Sequence, residues 1–123
     1  MPMSEGLRIA VFASGKGSNF KAILDAMDAG HIPGADVVLA ISNNYTAGAL
    51  EIARGRGIPT VHISRPQYAS DAEYTEALLG LLRKHSVNFI VLAGYMKILD
   101  TRIIQSFRNR ILNIHPALLP SFG

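Results

Sequence analysis

The sequence predicts an α/β fold: an open, Rossmann-like, mostly parallel sheet with helices on both faces. Short apolar runs rich in Val and Ile recur along the chain, as strands covered on both faces require. Between them lie segments whose apolar residues return at i, i+3, i+4 and i+7, the period of a helix with one buried side. Strand and helix alternate at the spacing of right-handed βαβ units, which makes neighbouring strands parallel.

Leu7 to Ala13 is the first such run, flanked by Gly6 and Ser14, and it opens into Ser14-Gly15-Lys16-Gly17-Ser18-Asn19. From Phe20 the period changes: Phe20, Ile23, Leu24 and Met27 share a helical side, and Gly30 supplies the stop. Asp36 to Ser42 is a second buried strand through Val37, Val38, Leu39 and Ile41, and it ends in Asn43-Asn44. A short helix follows from about Thr46 to Arg56, with Leu50 and Ala53 on one side and Gly57 after it. Thr60 to Ile63 is a third, weaker strand. Ser70-Asp71-Ala72-Glu73 has the spacing of a capping box, and Tyr74, Ala77, Leu78, Leu81 and Leu82 form the apolar stripe of the helix behind it. Phe89 to Leu92 is the fourth strand and runs into Ala93-Gly94-Tyr95-Met96. Asp100 can cap a helix bearing Ile103, Ile104 and Phe107, and Ile111 to Ile114 is the fifth strand.

Of the 123 residues 49% are apolar, enough for one buried core. Residues 1–6 are expected to form a flexible N-terminus and 7–123 a single domain. Twelve Lys and Arg stand against nine Asp and Glu, scattered instead of gathered in a basic block. That balance suits an anionic small molecule and gives little support for nucleic acid as a partner. The absence of Cys excludes disulfides, thiolate nucleophiles and Cys metal sites. No His, Asp or Glu cluster has ligand spacing, so no metal is expected. The first residues lack the basic and apolar regions of a signal peptide, and no apolar run reaches the length of a membrane span. The expectation is a soluble cytoplasmic protein without a membrane partner.

In a sheet of this kind, ligands bind beyond the carboxyl ends of the strands, near the point where strand order reverses. Almost every chemistry-bearing residue falls at those ends. Gly15, Lys16, Gly17, Ser18 and Asn19 precede a helix, and that is the recipe for holding a phosphate: close backbone approach, free N–H groups and a favourable dipole. The same residues could also be a plain strand-to-helix turn with a Ser or Asn cap. Phe20 stands where a dinucleotide fingerprint needs its third glycine, and Gly17 where a Walker loop needs Ser or Thr. Asn43 and Asn44 replace the acid that a nicotinamide site carries after its second strand. Asn113 and His115, two apart on the last strand, point to one side. They either satisfy local backbone groups or form a site. Tyr95 and Met96 read as an exposed pair beside this rim that could line a pocket for a flat heterocycle. His31, His62 and His85 read as structural or solvent-facing.

Four motifs in order, Ser14-Gly15-Lys16-Gly17-Ser18-Asn19, Ile41-Ser42-Asn43-Asn44, Leu92 to Leu99 and Leu112 to Pro120, resemble the folate-dependent formyltransferase family, and within it the phosphoribosylglycinamide formyltransferases. The last motif is shared with the wider group, including methionyl-tRNA formyltransferase. The resemblance implies transfer of a formyl group from 10-formyltetrahydrofolate, the co-substrate, to the amine of glycinamide ribonucleotide, with a homodimer as one arrangement of the chain. It implies that Gly15, Lys16, Gly17, Ser18 and Asn19 hold the ribonucleotide phosphate. Tyr95, Met96, Lys97, Ile98, Leu99, Ile111, Leu112 and Asn113 border the folate, and Asn113 and His115 carry the chemistry. Family members usually have an Arg at about Asp71 that helps with the folate tail; here Arg65 is the cation at hand. Family members also bend at the counterpart of Leu119-Pro120, where a cis bond is expected. They continue for roughly 70 to 100 residues past the counterpart of Gly123, a length within the range of one domain. The chain is therefore expected to be the N-terminal part of such a domain, truncated at its C-terminal end and inactive alone. The alternatives are a phosphate or nucleotide binding module without catalysis, and another formyltetrahydrofolate-using enzyme such as methionyl-tRNA formyltransferase.

Overall fold

The computed structural model describes residues 6–13, 18–28, 30, 34–44, 48–93, 95 and 99–114. Among the described residues five strands and four α-helices alternate: Leu7–Ala13 (β1), Ser18–Asp28 (α1), Ala35–Ser42 (β2), Gly48–Gly55 (α2), Thr60–His62 (β3), Asp71–Lys84 (α3), Phe89–Ala93 (β4), Thr101–Ser106 (α4) and Ile111–Ile114 (β5). The strands form one parallel sheet in the order β3-β2-β1-β4-β5. The predicted α/β architecture is therefore the observed one. One turn of 3-10 helix at Arg65–Gln67, which the apolar period does not mark, follows β3.

The sheet has a core on each face. Ile9, Val11 and Ala13 of β1 pack with Phe20, Ile23 and Leu24 of α1 and with Ala49, Leu50 and Ala53 of α2. Ala10 and Phe12, the alternate residues of the same strand, pack with Leu78, Leu79 and Leu82 of α3 and with Ile103 of α4. Strict alternation fails in β2, where Val37 faces the α1/α2 side but Leu39 and Ile41 face the other. The cause is a shift in register: Ile9 pairs with Val37 and Ala10 with Leu39, so Val38 is the extra residue of a bulge.

Two helices bury faces other than those expected. On α3 the buried residues are Thr75, Leu78, Leu79 and Leu82, while Tyr74, Ala77 and Leu81 sit at the margin. The stripe is rotated by about one position because Thr75, only 1% exposed, lies inward despite its hydroxyl, a placement that apolar counting cannot see. On α4 Ile103 and Phe107 are buried but Ile104 is 46% exposed, since a six-residue helix presents only one narrow side to the sheet.

The ends are set by local chemistry. The Ser70 side chain accepts the Glu73 backbone N–H at 3.1 Å and so caps α3. Ser70→Ala should lower unfolding stability by about 1 kcal/mol, read from the urea midpoint. At the amino end of the sheet the Arg8 guanidinium donates to the His85 and Ser86 carbonyls (2.9 and 3.0 Å), closing the C-terminus of α3. The Asn88 side chain accepts the Arg8 N–H at 2.8 Å and donates to the Gly6 carbonyl, tying β1 to the entry of β4. These contacts lie at the end of the sheet opposite the strands' carboxyl termini. No helix among the described residues is long and apolar enough to cross a membrane.

Candidate active site

The strand order reverses between β1 and β4, since β1 leads to β2 on one side and β4 to β5 on the other. Ala13 and Ala93, the last residues of these strands, are register partners at the crevice this reversal creates. The expected phosphate residues Gly15, Lys16 and Gly17 lie outside the described residues, and Ser18 and Asn19 are the first residues of α1. In any α-helix the first-turn backbone N–H groups have no partner within the helix, which is the general basis of anion binding at such an end.

Asn113 is exposed on β5 and pairs in register with Leu92. Leu92 packs toward α3 and α4, so Asn113 lies on that side of the sheet too. Its neighbours in the strand divide: Ile111 is half-buried against the α3/α4 core, whereas Leu112 is 51% exposed on the opposite side. His115 and the Leu119-Pro120 bond lie outside the described residues, as do Met96, Lys97 and Ile98.

Tyr95 departs from its expected exposure. It is 7% exposed, with its ring edge-on to Phe12 at 5.3 Å and 76°. Its hydroxyl lies 3.5 Å from that of Tyr74 on α3. Burial first, then the contact with Tyr74, pushes the Tyr95 phenol far above its ordinary range. It therefore stays neutral at physiological pH and can act as a hydrogen-bonding group but not as a base. Apolar periodicity stops at Ala93, so the inward turn of Tyr95 leaves no mark in the sequence.

Beside Tyr74 opens a cavity of about 540 Å³, within the range of small-molecule sites. Asn43 closes one side, held at the end of β2 by the turn in which the Ser42 hydroxyl both donates to the Asn44 carbonyl and accepts its N–H at 3.0 Å. Ser64, Arg65 and Pro66 form the wall after β3, and Asp71, Tyr74 and Thr75 the α3 wall. Leu99, Asp100 and Thr101 complete it at the start of α4. Arg65 donates through Nε to the Asp71 carboxylate and through Nη1 to the Tyr68 carbonyl at 2.9 Å. The cation at this position is thus shared with an acid. Asp100 accepts the Arg102 N–H at 2.8 Å and caps α4, as its place in the sequence predicts. The sequence does carry a signal for the Ser64 wall: Ser64-x-x-Gln67 with a proline inside is a helix-start pattern at the carboxyl end of a strand. Among the described residues no group of three or more His, Asp or Glu side chains could hold a metal ion.

A parallel α/β domain with a crevice at its strand reversal and a hydrogen-bonding cavity alongside defines a class of small-molecule-binding proteins. Within that class the chain belongs to the formyl transferase family, whose model matches residues 7–123. It is 44% identical over 117 residues to a chloroplastic phosphoribosylglycinamide formyltransferase of Arabidopsis thaliana, covering 94% of this chain and 40% of that one. It is 42% identical over 116 residues to the phosphoribosylglycinamide formyltransferase of Haemophilus influenzae, covering 94% of this chain and 54% of the relative. The solved structure of glycinamide ribonucleotide transformylase 1 from Geobacillus kaustophilus superposes with a TM-score of 0.84 at 37% identity, over 96% of this chain and 62% of that one. The chain thus spans between two-fifths and two-thirds of the length of these relatives.

Proposed function

We propose that the protein transfers a formyl group from 10-formyltetrahydrofolate to the amine of glycinamide ribonucleotide, a step of purine synthesis. The observation that carries this reading is the likeness of nearly the whole chain, at 42–44% identity, to proteins named for that reaction. Both substrates are small molecules, and within this reading the protein acts in the cytoplasm without nucleic acid.

Gly15, Lys16, Gly17, Ser18 and Asn19 hold the ribonucleotide phosphate, where the start of α1 adds its dipole. The folate lies against Tyr95, Met96, Lys97, Ile98, Leu99, Ile111, Leu112 and Asn113. The residues present suit such a ligand: the cavity offers the Tyr74 ring and Leu99 to an aromatic body, and hydroxyl and amide groups to its polar edges. When bound, 10-formyltetrahydrofolate supplies the formyl carbon. Attack by the amine forms the new C–N bond and places negative charge on the formyl oxygen, which the Asn113 amide N–H and a protonated His115 imidazole stabilise; the bond from the formyl carbon to N10 then breaks, and tetrahydrofolate leaves with N10 taking up a proton to balance the one the amine loses. Titration of the intact protein with glycinamide ribonucleotide and with a non-reactive folate analogue tests the reading. Binding of both is expected; binding of the ribonucleotide alone would make the protein a phosphate-binding module.

A further inference from the structure

We infer that the amino end of the sheet is a docking surface for an acidic segment of a protein partner, built by Arg8, Arg83, Lys84, Arg108 and Arg110. These cations stand far apart in sequence, and the fold gathers them. All five are exposed. The Asn88 N–H donates to the Arg8 carbonyl at 2.9 Å, and the Asn88 carbonyl accepts Arg110 Nη1 at 3.3 Å. The Arg8 guanidinium, held on the His85 and Ser86 carbonyls, lines the same open recess as Arg83. Lys84 follows in the last turn of α3, and Arg108 lies in the turn closed by the 2.8 Å bond from the Arg110 N–H to the Phe107 carbonyl. Ser86 and Asn109, at φ 55° and 63°, supply the left-handed residues that end the two helices, so the cations ride on a fixed backbone. The crevice is at the other end of the sheet, and an occupant here leaves it open.

The plainer role of these residues is to neutralise the carbonyl ends of α3 and α4, which asks for about half a charge each. Five cations exceed that demand. Among the described residues Asp36, the register partner of Arg8, is the acid at this end. Glu76 feels the charge of Arg83 but is already paired with Arg102. Two further acids of the sequence have side chains outside the described ones, Glu5 and Asp28, and Asp28 belongs to α1 on the opposite face. With Glu5 also set against the patch, a surplus of about two positive charges remains. Carboxylates suit it better than a nucleic acid does. Guanidinium forks pair with carboxylates through two parallel bonds, and Arg8 and Arg110 are anchored on backbone carbonyls before any partner arrives. The rings at this end, Phe89 and Phe107, pack into the two cores, so the patch offers bases nothing to stack on.

The test is fluorescence anisotropy of a labelled peptide of alternating Glu and Ser, beside a single-stranded oligonucleotide of equal charge. The peptide is expected to bind the protein, and to weaken about fivefold as salt rises from about 50 to 200 mM. Arg83→Gln, Arg108→Gln and Arg110→Gln together should weaken it about 10- to 30-fold, at about threefold for each exposed charge removed. Lys21→Gln with Arg54→Gln, which removes two cations from α1 and α2, should change it less than about twofold. If the triple variant loses its urea midpoint, Arg83→Gln alone decides, with a loss of about threefold expected. Three outcomes overturn the proposal: no binding of the peptide, an equal loss in the control variant, or tighter binding of the oligonucleotide through the same arginines.

Discussion

Asn113→Ala in the intact protein should lower kcat for formyl transfer about 10²- to 10³-fold, the usual effect of removing one oxyanion donor. KM should change far less, because the amide is asked to act on charge that exists only in the transition state. The position makes the experiment clean. Asn113 is exposed on β5, so truncation opens no cavity and the urea midpoint should shift by no more than about 0.5 kcal/mol. Asn113→Asp is the sharper variant, since it keeps the size and replaces the donor with a carboxylate, and it should lose at least as much. Steady-state kinetics beside a denaturation curve decides the matter: near-normal turnover by Asn113→Ala would remove it from the chemistry.

Phe12→Ala should be the most damaging core substitution, costing about 3–5 kcal/mol of stability. Phe12 is fully buried on β1, the central strand, and packs with α3 and α4 while meeting the edge of Tyr95. Its loss leaves a cavity that the two flanking strands prevent from collapsing. A lower urea midpoint at unchanged slope is expected, with Phe12→Leu recovering the larger part. Since Tyr95 loses the ring that positions it, folate affinity should fall together with stability, whereas Leu78→Ala on the same face should cost stability alone.

The central strands were legible because they are covered on both faces, and a run such as Arg8 to Ala13 has little else it could form. Helix starts were legible where a side chain does the capping, as at Ser70 and Asp100. The rest depended on contacts distant in sequence. Thr75 points inward and Tyr95 turns from the rim into the core because of neighbours on other elements. The bulge at Val38 follows from pairing with β1, not from any residue of β2. The cavity is the least legible part, since its walls come from the ends of β2, β3, α3 and α4, which meet only once the sheet has formed.

The strand order also sets a timetable for synthesis. β1 is laid down first, yet its second neighbour is β4, and the hydrogen bond from Arg8 to Asn88 spans 80 residues. At about 5–20 residues per second, a ribosome needs about 4–16 s to supply that partner. Over that interval β1, β2 and β3 can pair, but Ile9, Val11 and Phe12 remain on an open edge, a template for any other extended chain. Of the five strands, the one at the centre of the sheet is thus the one whose second edge stays open longest during synthesis.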